Sequence, residues 1–128
     1  MEIIFIRSGK LVVKTSVRMT EEMQKALREV SSALYGAKGK SRWVRDALSM
    51  LAAEDPAMTS VGFGEAHFVP TCSEQILLSD GSEEILENLV ARVRRQDPLA
   101  EGVKSQVLRA AVRWRLERSS RPFALNRL

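Results

Sequence analysis

Lys14, Ser16 and Arg18 are the residues whose types and spacing most plainly suit a chemical task. In an extended strand the period of two sends these three to one side and Thr15, Val17 and Met19 to the other. One face then offers two cations and a hydroxyl, while the opposite face is fit for a core. This is binding chemistry aimed at an anion, although a merely solvated strand face uses the same residue types. Catalytic combinations are thinner. His67 is the single histidine, so a triad would have to join it to Ser60 or Cys72, with nothing to supply oxyanion donors. The adjacent pairs Glu21/Glu22 and Glu83/Glu84 point in different directions on a helix and suit its positive N-terminus better than acid–base work. Gly62-Phe63-Gly64 lacks the third glycine and the strand-to-helix setting of a phosphate loop. No His or Cys spacing supports a metal. The expectation is a protein that is not an enzyme, with no metal and no cofactor.

Composition narrows the partner. A chain of 128 residues forms one domain or two very small units. With 45% hydrophobic residues but only 5% aromatic ones, its core is expected to be aliphatic. The formal charge of +4 favours an anionic partner such as nucleic acid or a membrane surface. The lone Cys72 allows neither an intramolecular disulfide nor a cysteine zinc cluster, which points to a reducing compartment and a small packing residue. Ile3-Ile4-Phe5-Ile6 follows Glu2 and is too short for a signal peptide. No run approaches the roughly 20 apolar residues of a membrane span. A cytoplasmic protein with no membrane role is therefore expected.

The strand runs straight into a helix. Thr20 is placed to cap it, with Glu21 and Glu22 in the first turn, and Met23, Leu27, Val30 and Leu34 form an amphipathic stripe. Gly36 and Gly39 end it. A second helix is predicted to start at Ser41, to bury Val44, Ala47, Leu48 and Leu51, and to stop before Pro56. Residues 55–72, richer in small residues, Gly and Pro, read as a linker. The same order of signals then returns. Ile76-Leu77-Leu78 is a short strand, Asp80-Gly81 a turn, and Ser82-Glu83-Glu84-Ile85 answers Thr20-Glu21-Glu22-Met23, with Leu89 at the spacing of Leu27. Lys104-Ser105-Gln106-Val107-Leu108-Arg109-Ala110-Ala111 answers Lys40-Ser41-Arg42-Trp43-Val44-Arg45-Asp46-Ala47. The expected organisation is an N-terminal extension or extra strand at 1–13, one unit at 14–54, the linker, a second unit at 73–118 and a basic tail at 119–128.

Lys14-Thr15-Ser16-Val17-Arg18-Met19, then Leu27, then Ser41-Arg42-Trp43-Val44-Arg45-Asp46-Ala47-Leu48 resembles the ribbon-helix-helix (MetJ/Arc-type) family of bacterial DNA-binding proteins. The resemblance covers about 14–53 and, more weakly, 74–118. Two copies in one chain are similar to the arrangement of TraY-type conjugation accessory proteins. The fold class this implies is mainly α with a short β-ribbon (α+β), as strand-helix-helix repeated twice. In that family two strands pair into an antiparallel ribbon that enters the major groove of double-stranded DNA. The resemblance thus makes Lys14, Ser16 and Arg18 base readers, since Lys or Arg can donate to guanine O6 and N7 and serine can donate or accept. It also places the backbone amides of Ser41 and Arg42, and of Ser105 and Gln106, at helix N-termini that could clamp phosphates, with Lys40 and Lys104 adding charge. Simple capping by the two serines is compatible with that clamp.

The second strand, Ser73-Glu74-Gln75-Ile76-Leu77-Leu78-Ser79, has no basic residue. If Ile76 and Leu78 face the core, then Gln75, Leu77 and Ser79 face outward, and Gln75 is the good base reader among them. A ribbon made within a monomeric tandem unit is then chemically lopsided; the alternative is a homodimer that pairs the first copies of two chains. Ile3 to Ile6 and Leu11 to Val13 flank Ser8-Gly9 and read as a hairpin that extends the strand or covers its edge. Arg113, Arg115, Arg118, Arg121 and Arg127 make a basic terminus, either a solvated helix end or further phosphate contacts. The function expected is sequence-specific DNA binding, as a transcriptional repressor or as a conjugation or partition accessory factor on a plasmid. The alternative is an interaction module or antitoxin of the same fold with little DNA binding.

Overall fold

Strand β2 (Lys10–Met19) shows the alternation its sequence dictates: Val13, Thr15, Val17 and Met19 are buried, whereas Ser16 and Arg18 are exposed. The structure, a computed structural model, describes the backbone of residues 3–7 and 10–119 and the side chains of 12–79 and 81–118. Strand β3 (Cys72–Ser79) runs antiparallel to β2, from Val12 opposite Ser79 to Met19 opposite Cys72. Its Glu74, Ile76 and Leu78 are buried, so the expected inward and outward faces are both found. Strand β1 (Ile3–Arg7) pairs with Lys10 to Lys14 on the other edge of β2, giving a three-stranded sheet in the order β1-β2-β3. The Ser8-Gly9 connection lies outside the described residues.

Helix α1 (Glu21–Tyr35) starts where its cap requires. Thr20 Oγ1 accepts from the Met23 amide at 3.1 Å, and Glu21 and Glu22 lie in the first turn. Gly36 ends it at φ 87°, a conformation that glycine adopts without strain. Helix α2 (Lys40–Glu54) begins one residue before the predicted start, with Gly39 at the cap position and no side-chain cap. Ser41 is drawn away from capping because its hydroxyl accepts from the Leu77 amide of β3 at 2.9 Å.

The start of helix α3 (Asp80–Gln96) corrects the sequence reading. Asp80-Gly81 is not a turn; it forms the first helical residues, and Ser79 rather than Ser82 is the cap. The Ser82 hydroxyl accepts from the Ser79 amide at 2.9 Å, so the donors at this junction find partners without an intervening turn. The cap-to-core spacing shifts accordingly. Leu86, fully buried, is the counterpart of the fully buried Leu27, and Leu89 corresponds to Val30. Helix α4 (Val103–Ser119) starts two residues before Ser105, the counterpart of Ser41.

Both halves feed one aliphatic core, in which Val17, Met19, Leu27, Leu48, Ile76, Leu86, Leu108 and Leu116 surround Trp43. The linker is folded onto it as a series of turns. The buried Asp55 carboxylate accepts from the amides and hydroxyls of both Thr59 and Ser60. Glu65 reaches α4, where Arg109 holds it through two bonds of 3.0 Å and Arg113 through one of 2.6 Å. The architecture is α+β, with elements in the order β1-β2-α1-α2-β3-α3-α4. Among the described residues no helix is long and apolar enough to cross a membrane.

Candidate nucleic-acid interface

The outer face of the β2–β3 ribbon carries three opposed pairs: Lys14 with Leu77, Ser16 with Gln75, and Arg18 with Ser73. Ser16, Arg18, Ser73 and Gln75 are exposed, and Lys14 and Leu77 partly so. The four residues read from the sequence as base contacts, Lys14, Ser16, Arg18 and Gln75, are thus brought onto one surface. Arg18 Nη2 donates to the Pro70 carbonyl at 2.7 Å, which leaves other guanidinium donors pointing elsewhere.

Each end of the ribbon meets the start of a helix, and a pair of arginines that the sequence reading passed over makes the joint. Arg45 of α2 donates from Nη1 to the Leu77 carbonyl on the free edge of β3 at 2.7 Å. Arg109 of α4 donates from Nη1 to the Arg18 carbonyl on the free edge of β2 at 2.9 Å. Their signal was available in the repeated pattern Lys-Ser-x-x-x-Arg, but the arginines fell inside helices and were not read as strand partners.

The phosphate-contact candidates divide. In α2 the first intrahelical bond runs from the Trp43 amide to the Gly39 carbonyl, so the amides of Lys40, Ser41 and Arg42 have no acceptor within the helix. In α4 the Gln106 amide donates to the Gly102 carbonyl at 3.1 Å. The expectation that the Gln106 amide is a free donor is therefore corrected: the helix starts earlier, and the Gln106 amide makes its first intrahelical bond. The Gln106 side chain instead lies beside Gly62 of the linker. Arg42 is exposed and stacks over Tyr35 at 4.2 Å.

Lys40 does not contribute the loose charge expected of it. Its Nζ lies 2.6 Å from Glu74 Oε1, while Gln24 and Arg28 hold Oε2 at 2.5 and 2.9 Å. Burial of Glu74 pushes its carboxyl upward, yet the bonds and charges of Lys40, Gln24 and Arg28 overbalance this and hold it below the ordinary value. Lys38 is exposed next to this cluster, in a groove of about 460 Å³ that Lys14, Lys40, Ser41 and Gln75 also line.

The basic C-terminus is largely engaged within the fold. Arg113 bonds Glu65 and the Ser60 carbonyl; Arg115 bonds the Trp43 carbonyl; Arg118 pairs with Glu54 at 3.2 Å and stacks over Trp114. Arg121 and Arg127 lie outside the described residues. His67 is exposed and hydrogen-bonds neither Ser60 nor Cys72; the Ser60 hydroxyl donates to Asp55 at 2.6 Å. Compared with protein-family models, curated proteins and solved structures, the chain matches none of them.

Proposed function

We propose that the chain is a tandem ribbon-helix-helix protein that binds double-stranded DNA in the major groove through the outer face of β2 and β3. The observation that carries this reading is the ribbon itself. It presents Lys14, Ser16, Arg18 and Gln75 on one exposed surface, bounded at its two ends by the starts of α2 and α4, whose first amides lack helical acceptors. A two-stranded ribbon fits the major groove, and helix starts beside it suit the flanking phosphates.

The duplication is supported by register. The shift along the chain that carries Thr20 onto Ser79 also carries Leu27 onto Leu86, Val17 onto Ile76 and Ser16 onto Gln75. Ser16 and Gln75 are opposite one another in the ribbon, as a two-fold relation between two copies would require. The arginine joints fit once the longer loop before α4 is allowed for: Arg45 answers Arg109, Arg45 holds Leu77, Arg109 holds Arg18, and the strand shift carries Arg18 onto Leu77. The biological role is a transcriptional repressor or an accessory factor at a transfer origin or partition site, which share this binding chemistry.

Affinity for duplex DNA measured over a salt series tests the proposal. Affinity falling with salt, with a shallower slope in Lys14→Ala than in the parent, is the expected result. Absence of binding to every duplex, the chain's own upstream region included, would give the case to a protein-interaction module.

A further inference from the structure

The ribbon is built from two unlike strands, and the charges behind it resist any other pairing. Glu74 is 2% exposed, and its partners Gln24, Arg28 and Lys40 all come from the first half. The shift that relates the halves carries Gln24 onto Glu83 and Arg28 onto Glu87. Two second halves paired with one another would therefore set carboxylates against the buried Glu74, a repulsion that disfavours that assembly. Two first halves would put Thr15 in the place of Glu74, leaving Arg28 and Lys40 without their carboxylate. A first half set against a second half gives Glu74 two cations and an amide, whereas two second halves would give it one cation, Lys104, and two carboxylates.

The two ends of that ribbon differ in chemistry. At one end lie Lys14 and Leu77, beside α2 and the exposed Lys38; at the other lie Arg18 and Ser73, beside α4. Lys38, beside the ribbon, immediately precedes Gly39, whereas Glu101, in a groove with Gly62, Val93 and Gln96, immediately precedes Gly102, so the two helix starts are preceded by unlike charges. β1 adds a third strand at the Lys14 end alone.

We infer that one chain reads a single, non-palindromic duplex site. The inference rests on the DNA-binding reading and specifies the target: guanine under Arg18, adenine under Gln75 at the centre, and a thymine methyl under Leu77.

Selection of duplexes from a random pool with the full chain, followed by native mass spectrometry of the complex, tests it. The expected result is an asymmetric consensus occupied by one chain. Arg18→Ala should reduce discrimination at the guanine end by roughly 5- to 150-fold and leave the other end unchanged, while Lys14→Ala acts at the opposite end. Arg18→Lys, which retains the charge without the forked donors, should also lose discrimination but keep more affinity. Arg18 lies outside the core, and a circular dichroism spectrum like the parent's would show that loss of discrimination is not loss of fold. A palindromic consensus bound by two chains, or relaxation at the same base pairs by both alanine variants, would overturn the inference while leaving DNA binding intact. Recovery of no duplex would overturn the DNA-binding reading itself, and the inference with it.

Discussion

Arg45 and Arg109 occupy related positions but are not equally embedded, so Arg109→Ala should destabilise the fold more than Arg45→Ala. Arg45 makes one charged-donor bond, from Nη1 to the Leu77 carbonyl. Such a bond contributes about 1.5–3 kcal/mol, and the lower end applies because water can reach a strand edge once the side chain is gone. Arg109 is 8% exposed and donates to Arg18, to both Glu65 oxygens, and stacks over Phe68 at 4.7 Å. Breaking a buried pair costs about 3–5 kcal/mol, and retention of Arg113 on Glu65 keeps the loss near 3 kcal/mol. Urea unfolding followed by circular dichroism reads the difference. With a slope of about 2 kcal/mol/M, the midpoint should fall by about 1.5 M for Arg109→Ala and about 0.8 M for Arg45→Ala, with the slope unchanged. The arginines share no partner, so the double variant should show the sum. Equal losses, or a larger one at Arg45, would refute the view that Arg109 fastens the linker as well as the ribbon.

Acid should unfold the chain through its buried carboxylates. Glu65 and Glu74 are held below the ordinary 4.5 against the opposing effect of burial, Glu65 by Arg109 and Arg113, and Glu74 by Lys40, Gln24 and Arg28. The unfolded chain then binds more protons between the unfolded and folded values, so the stability these groups add is complete above the unfolded value and is lost as pH falls through the folded one. Stability measured in urea across this range should show that loss, and Glu74→Gln should flatten it. Gly39→Ala should lower the melting temperature, because a Cβ there would collide with Tyr35 Cβ, whereas Gly81→Ala meets nothing within 4 Å and should be neutral or slightly stabilising. A thermal melt of the two variants side by side gives the comparison.

Much of the α+β fold was legible because strand alternation and helix periodicity are local signals. Val17 and Met19 face the core and Ser16 and Arg18 face out, as a period of two requires. The start of α3 was misread because Asp80-Gly81 is a strong turn signal in isolation, and the Ser79–Ser82 contact that removes the need for a turn exists only once the helix has formed. The roles of Lys40 and Glu74 were hidden for a different reason. Their sequence separation is long, and only antiparallel pairing of β2 with β3 brings a second-half carboxylate against first-half cations. The arginine joints are non-local in the same way: periodicity places Arg45 on a helix but does not name its acceptor.

The formal charge of +4 is thus a poor guide to where an anion would dock. Glu65 neutralises much of Arg109 and Arg113, Glu74 does the same for Arg28 and Lys40, and Arg118 is set against Glu54. These pairs stitch the linker and helices together and leave little field at the surface, since an ion pair looks nearly neutral from beyond a Debye length of about 8–10 Å. Lys14, Arg18 and Lys38 have no carboxylate within salt-bridge distance among the described residues, and Lys14 and Arg18 stand on the ribbon with Lys38 beside it. Lys25, Arg42, Arg94 and Arg95 are exposed on the helices as well. What distinguishes Lys14 and Arg18 is not that they alone carry charge but that they carry it on the outer face of a strand, where a groove-bound ribbon would meet phosphate and base edges together.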